Sequence, residues 1–347
     1  MDRVYLDHNA TAPLRPEARA AMLAAMDLVG NPSSVHAEGR AARATVEKAR
    51  AQVAAALGAE GADVIFTSGA TEAAALALAG RGLHGAAIEH DAVAAWVDDD
   101  LPVDAAGRVT VADPARSVLQ LANSETGVVQ ELPEGLELSD MTQGFGKLPL
   151  AFNWSGCRMA LVSAHKLGGP KGVGALVVRR GTDIAAQLRG GGQEMGRRAG
   201  TENVAAIAGF GAAAEAAARD LAGGVWQRVE EIRDNLEQAI ATDQSETILV
   251  GKGVHRLPNT TCIAAPGWKG ETQVMQMDLA GYAVSAGSAC SSGKVRASRV
   301  LRAMGLDDDV AGSAIRVSLG PETSEDDVLR FADTWLAKRR KHSARVA

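Results

Sequence analysis

The sequence predicts an α/β protein built on a largely parallel sheet, and three observations carry that reading. Short β-rich runs alternate with Ala-rich helical patterns along most of the chain, and strands interleaved with helices imply parallel strands joined by crossovers. Several apolar runs end in Gly-rich or polar clusters that carry reactive groups, as happens at the carboxyl edge of open α/β sheets. At 347 residues the chain is long enough for a large core and suggests about two domains.

Asp63-Val-Ile-Phe-Thr67 reads as a buried strand, followed by Ser68-Gly69 and a helix from about Thr71 to Ala79. Further strands are expected at 86–88, 118–122, 159–163 and 173–178, each bounded by Gly, Pro or polar residues. The segment 223–243 reads as one long helix, because Val225, Val229, Ile232 and Leu236 recur at helical spacing with charges between them. New strands are expected at 247–250, 259–264, 282–286 and 314–318. These observations divide the chain into a large domain over 14–229 and a smaller α/β domain over 230–347, to which residues 1–13 return. Leu336-Ala-Lys-Arg-Arg-Lys-His342 reads as the solvated end of a helix, its cations facing the negative pole.

Composition narrows the function classes. With 46% hydrophobic and 22% charged residues the chain is of ordinary globular type, and a net charge of −6 gives no reason to expect nucleic acid or an acidic membrane surface. The opening residues lack the apolar core of a signal peptide, and no run of about 18 apolar residues exists. Cys157, Cys262 and Cys290 form no CxxC pair, so reduced thiols in a cytoplasmic protein are expected, with neither disulfide frame nor metal site.

Five clusters can do chemistry. Thr67-Ser-Gly-Ala-Thr-Glu72 sits between a strand and a helix, where Ala70 and Thr71 offer amides and a hydroxyl suited to a phosphate; a plain helix cap fits the same pattern. Met159-Ala-Leu-Val-Ser-Ala-His-Lys-Leu-Gly-Gly delivers Ser163, His165 and Lys166 to a strand's carboxyl edge, where a lysine partly deprotonated by burial or a nearby cation forms Schiff bases. Lys171 suits a solvated loop better. Asp140-Met-Thr-Gln143 precedes Lys166 by 26 residues, and a carboxylate facing a pyridine nitrogen keeps that ring an electron sink; an Asp in a loop is usually just solvated. His90, in Glu89-His90-Asp91, can stack on a ring and shuttle protons, or simply be a hydrogen-bonded histidine. Cys290 stands among small polar residues in Ser-Ala-Gly-Ser-Ala-Cys-Ser-Ser-Gly, whereas Cys262 lies in an apolar run, so Cys290 is the better nucleophile. Two further features support these five: Arg316, in the apolar strand Ala314–Ser318, needs an anion, and a Gly-rich loop from Arg189 to Thr201 is a phosphate contact or a plain surface loop.

Taken together and in this order, these motifs resemble the cysteine desulfurases, most closely the nitrogen-fixation-type branch with the long cysteine loop. Tyr5-Leu-Asp-His-Asn-Ala-Thr11 and Gly30-Asn-Pro-Ser-Ser-Val-His36 open the match, which runs nearly end to end. The resemblance implies a fold-type I transferase dependent on pyridoxal 5'-phosphate, with a mainly parallel, seven-stranded-type sheet and a smaller C-terminal domain carrying the cysteine loop, usually homodimeric. It implies that Lys166 binds the cofactor covalently, His90 stacks on its ring, Asp140 meets the pyridine nitrogen and Gln143 the phenolic oxygen. Ala70, Thr71, Ser163 and His165 would hold the phosphate, with Thr201 reaching in from the partner subunit. Asn31 and Arg316 would grip the carboxylate of L-cysteine, and Cys290 would take the sulfur as a persulfide, leaving alanine. That persulfide would pass to an acceptor protein for iron–sulfur cluster assembly or thiolation. Selenocysteine cleavage, transamination and a PLP-binding regulatory paralogue of low activity are the alternatives.

The sequence departs from the family pattern twice. Ser124 stands in Asn123-Ser-Glu-Thr-Gly127 where the family has a second Asn that contacts the cofactor. Only 50 residues separate His90 from Asp140, and 128–138 shows no helical period, so one or two surface helices are expected to be missing.

Overall fold

The computed structural model describes residues 3–242, 246–287 and 297–346. The chain begins with β1 (Val4–Tyr5), α1 (Pro16–Met26), α2 (Ala37–Ala56) and β2 (Asp63–Thr67). Then come α3 (Ala70–Leu78), β3 (Leu83–Ala86), the one-turn α4 (Asp91–Ala94) and β4 (Val97–Leu101). The short strands β5 (Val118–Gln120) and β6 (Leu138–Asp140) precede β7 (Met159–Ser163) and β8 (Gly174–Val178).

Five of these strands form one sheet in the order β2-β8-β7-β6-β5. The parallel pair β3–β4 continues it through a parallel bridge between His84 and Ser117. The pairs β5–β6 and β6–β7 are parallel, and β8 alone runs against its neighbours. Alternation along each strand sends side chains to two cores. Val64, Phe66, Ala160, Val162, Ala175 and Val177 face one of them, and Ile65, Met159, Leu161, Leu176 and Val178 face the other. On the first face lie Val46, Ala49 and Val53 of α2; on the second lie Ala73, Ala74 and Ala77 of α3.

No helix joins β5 to β6 among the described residues. The chain turns back at Asn123, whose Oδ1 accepts from the amides of Glu125 and Thr126, both at 2.9 Å.

The chain then forms α5 (Val204–Ala222), breaks at Gly223-Gly224 and continues as α6 (Val225–Ala241). The helical period therefore begins at Val225, and the residues before it belong to a separate helix. Gly224 has φ 76°, a left-handed conformation that favours glycine and ends the helical run. The remaining elements are β9 (Ile248–Val250), β10 (Thr260–Ala264), α7 (Gly270–Asp278), β11 (Tyr282–Ala283), β12 (Ser285–Ala286), α8 (Arg299–Ala303), α9 (Asp308–Gly312), β13 (Ala314–Ser318) and α10 (Glu325–Val346). An antiparallel sheet of order β12-β13-β10-β9 carries α6 and α10 against a core that includes Trp226, Leu236, Ile315, Val317, Phe331 and Trp335. β1 pairs with β11, and Asp7 bridges to Ser318, so the first residues lie beside the last strand.

Candidate active site

β2, β5, β6 and β7 run in one direction, and their carboxyl ends open onto a cleft of about 540 Å³. One wall is the start of α3, where Ser68, Gly69, Ala70 and Thr71 line the space. Ser68 N–H donates to Glu72 Oε2 at 2.8 Å, and Arg198 Nε holds Glu72 Oε1 at the same distance, so the turn is tied to the Gly-rich loop. A Cβ at Gly174 would lie 2.8 Å from the Gly69 Cα, which is why β8 opens with glycine beside this turn. First-turn amides at a helix's positive end suit an anion.

The second wall is the end of β7. Ser163, His165 and Lys166 line the cleft there. His165 Nδ1 lies 3.2 Å from Thr11 Oγ1. Burial, with the charges of Lys166 and Lys171 beside it, pushes its pKa down from 6.5 to about 4, so the ring is neutral at neutral pH. Lys166 Nζ donates to the carbonyls of Asn9 and Ala10 at 2.6 and 2.9 Å. Lys171 is exposed at the mouth of the same cleft.

The inner wall comes from β6 and the turn after it. Asp140 Oδ1 accepts the amide of Thr142 at 2.9 Å. The Thr142 hydroxyl is buried, lines the cleft and has no partner among the described residues. His90 lines the cleft and caps α4, its Nδ1 accepting from the Ala92 amide at 3.1 Å. In a neutral His90 ring the proton therefore sits on Nε2.

Glu89, beside His90, is fully buried. Its Oε1 accepts from Gln120 N–H at 2.9 Å, while Oε2 has no partner among the described residues. Burial, reinforced by the Asp140 charge, raises this carboxyl from 4.5 to about 8. The folded chain thus keeps a proton that the unfolded chain releases above pH 4.5, and stability falls as pH rises through that interval toward 8. Glu89→Gln is expected to raise the thermal midpoint more at pH 8 than at pH 5. Melting curves at both pH values check this, and an equal shift at the two would contradict it.

Of the residues singled out from sequence, Ala70, Thr71, His90, Asp140, Gln143, Ser163, His165 and Lys166 line this one cleft. Arg316 does not line it. Its Nη2 pairs with Asp7 Oδ1 at 2.7 Å and its Nη1 donates to the Ser124 carbonyl at 3.1 Å. Ser124 itself lines the cleft, so the guanidinium sits one residue behind the wall, with Nε unpartnered among the described residues. Asn31 lies on the exposed loop between α1 and α2, and Thr201 is exposed just before α5. Cys290 lies outside the described residues. The two described cysteines are buried, which pushes the thiol of Cys157 up and that of Cys262 up to about 12. Neither has thiolate character at neutral pH.

Sequence reasoning overlooked Asn9, Thr142 and Lys147. Asn9 is a hub: its carbonyl takes Lys166 Nζ and Gln143 Nε2, and its Oδ1 takes Lys147 Nζ and Asn259 Nδ2. Nothing in the local sequence separates such a residue from a solvated asparagine. Only Lys147, four positions after Gln143 on the same turn, carried a local signal.

The class-V aminotransferase family model matches residues 4–96 and 112–331. A cysteine desulfurase of Cereibacter sphaeroides is 39% identical over 96% of this chain and 95% of its own length. The cysteine desulfurase NifS of Azotobacter vinelandii is 36% identical over 95% and 91%. Among solved structures, a NifS-like protein from Rickettsia africae superposes with a TM-score of 0.87 at 31% identity, covering 98% of this chain and 99% of that one.

Proposed function

The chain belongs to the class-V aminotransferase family, and from that premise we propose that it is a cysteine desulfurase using pyridoxal phosphate. The observation that carries the reading is one cleft lined by the Lys166 amine, the Asp140 carboxylate and the amino end of α3. Those are the partners an aldehyde, a pyridine nitrogen and a phosphate require. The unpaired Thr142 hydroxyl fits too, since a buried polar atom on a cleft wall is satisfied by a bound group.

In this reading Lys166 holds the cofactor covalently, and Ala70, Thr71, Ser163 and His165 bind its phosphate. The neutral His165 serves as a hydrogen-bonding partner and adds no charge. Pyridoxal phosphate, when bound, supplies an aldehyde for the substrate's amine and a ring that takes up electron density. Asp140 keeps the ring nitrogen protonated, and Gln143 donates to the ring oxygen. Lys166 Nζ would also move a proton at the substrate's α-carbon. His90 stacks on the ring, and its Nε2 is the atom that exchanges a proton, because Nδ1 is held by the Ala92 amide. Arg316 receives the substrate carboxylate by giving up part of its pairing with Asp7, and Asn31 assists. Cys290 takes the sulfur: the carbon–sulfur bond of L-cysteine breaks, a sulfur–sulfur bond forms, the thiol proton goes to carbon, and alanine leaves. The persulfide then passes to an acceptor protein.

Two such chains form the working unit, with Thr201 of each completing the other's cofactor site. The exposed Thr201 and the exposed apolar side chains of Leu23, Met26, Val29, Val35 and Met195 support that arrangement. Residues 14–229 then form the cofactor-binding domain, with 1–13 and 230–347 as the smaller one.

The test is a visible spectrum of the purified chain with the cofactor, before and after L-cysteine, followed by assay of sulfide and alanine under reductant. A yellow protein that forms equal alanine and sulfide is the expected result. Colour without turnover would favour the regulatory alternative, and no colour would refute the proposal.

A further inference from the structure

Lys147 is a fully buried lysine that the mechanism above does not use. Its Nζ donates to Gln143 Oε1 at 2.9 Å and to Asn9 Oδ1 at 3.0 Å. Gln143 in turn donates from Nε2 to the Asn9 carbonyl at 3.0 Å, and that carbonyl also accepts from Lys166. We propose that Lys147 is a positioning residue for the cofactor: by holding Gln143 Oε1 it turns the amide's N–H2 end toward the ring oxygen in the cleft. The proposal rests on the pyridoxal phosphate reading.

The hydrogen-bond types force this orientation. A backbone carbonyl only accepts, so the Asn9 side of Gln143 must present the N–H2 group, and Lys147 supplies the donor that the amide oxygen then needs. One Gln143 hydrogen goes to Asn9, which leaves the second to face the cleft that Gln143 lines. Without Lys147 the amide oxygen would be buried with no donor, and a flip bringing it toward the ring oxygen would set two acceptors against each other. Burial first, then the neighbouring charges of Lys166 and Arg316, pushes the Lys147 amine well below its usual range. A neutral amine has two hydrogens, and its two acceptors here are Asn9 and Gln143, so the arrangement holds in either charge state.

A donor to the ring oxygen favours its ionised form, so losing that donor raises the pH at which the coenzyme's visible band changes. In the cofactor-loaded chain, Lys147→Met is expected to raise this midpoint by roughly one pH unit, and Gln143→Leu by at least as much. The double variant is expected to match Gln143→Leu to within about 0.3 units, because Lys147 acts through Gln143. An equal further rise from Lys147→Met in the Gln143→Leu background overturns the proposal, since the lysine would then act through its own charge. A midpoint left in place while the thermal midpoint of the cofactor-free chain falls also overturns it, leaving only a packing role. If Lys147→Met does not fold, an unmoved midpoint in Gln143→Leu still overturns it. A wild-type chain that takes up no coenzyme overturns this proposal together with the functional reading, whereas a yellow wild type with unmoved variants overturns this one alone.

Discussion

A Lys166→Ala chain is expected to lose about 10²–10⁴-fold of its alanine-forming rate, the range over which a positioned proton-transfer group contributes. Its visible band should shift as well, because no amine remains to hold the cofactor's aldehyde. The fold should survive the change. Lys166 is only half-buried, and the Asn9 carbonyl it leaves keeps its hydrogen bond from Gln143. A thermal midpoint near that of the wild type, with partial rescue of rate by added methylamine, would separate a chemical role from a structural one. Full activity in the variant would remove Lys166 from the mechanism.

The largest stability effect is expected at Arg256. Its guanidinium makes a two-pronged contact with Glu237 at 2.7 and 3.0 Å, and both side chains are buried. The same residue bridges to Val128, and His255 accepts from the Val129 amide, so this short segment stitches the turn after Asn123 to the second sheet. Arg256→Met leaves the Glu237 carboxylate buried without its cation, which costs about 3–5 kcal/mol. At about 2 °C per kcal/mol for a chain of this size, the thermal midpoint should fall by roughly 6–10 °C. Burial alone would raise the Glu237 pKa, but hydrogen bonds and charge from Arg256 hold it below 4.5. Its contribution is therefore present above pH 4.5 and lost as pH falls through the folded value. The gap between wild type and variant should narrow in acid, and a gap that widens would contradict the assignment.

What could be read from the sequence follows from the range of the interactions. Lys166, Asp140, Ala70 and Thr71 sit at strand or helix ends that local patterns reveal, and they line one cleft. Asn9, by contrast, acquires its role from partners up to 309 positions away, as the Ser318 hydroxyl on its amide shows. No window of neighbouring residues contains that information. α5 is hard to read from sequence because its Ala- and Gly-rich run carries charges only at Glu215, Arg219 and Asp220, too few to set a clear period. β6 is three residues long, too short for alternation to register. The helix expected over 223–243 starts only at Val225, because Gly224 takes a left-handed conformation that the apolar spacing does not encode.

The placement of Asn9 has a consequence for folding. Asn9, near the start of this sequence, needs Asn259, Thr260 and Ser318 to complete its contacts. By contrast α2, β2 and α3 follow one another closely in sequence and pack on the first sheet. The Asn9 floor of the cleft, however, is complete only once β10 and β13 are in place. A chain truncated before β13 should therefore fold its first sheet yet leave Asn9, and the Lys166 amine that its carbonyl holds, without the Ser318 anchor.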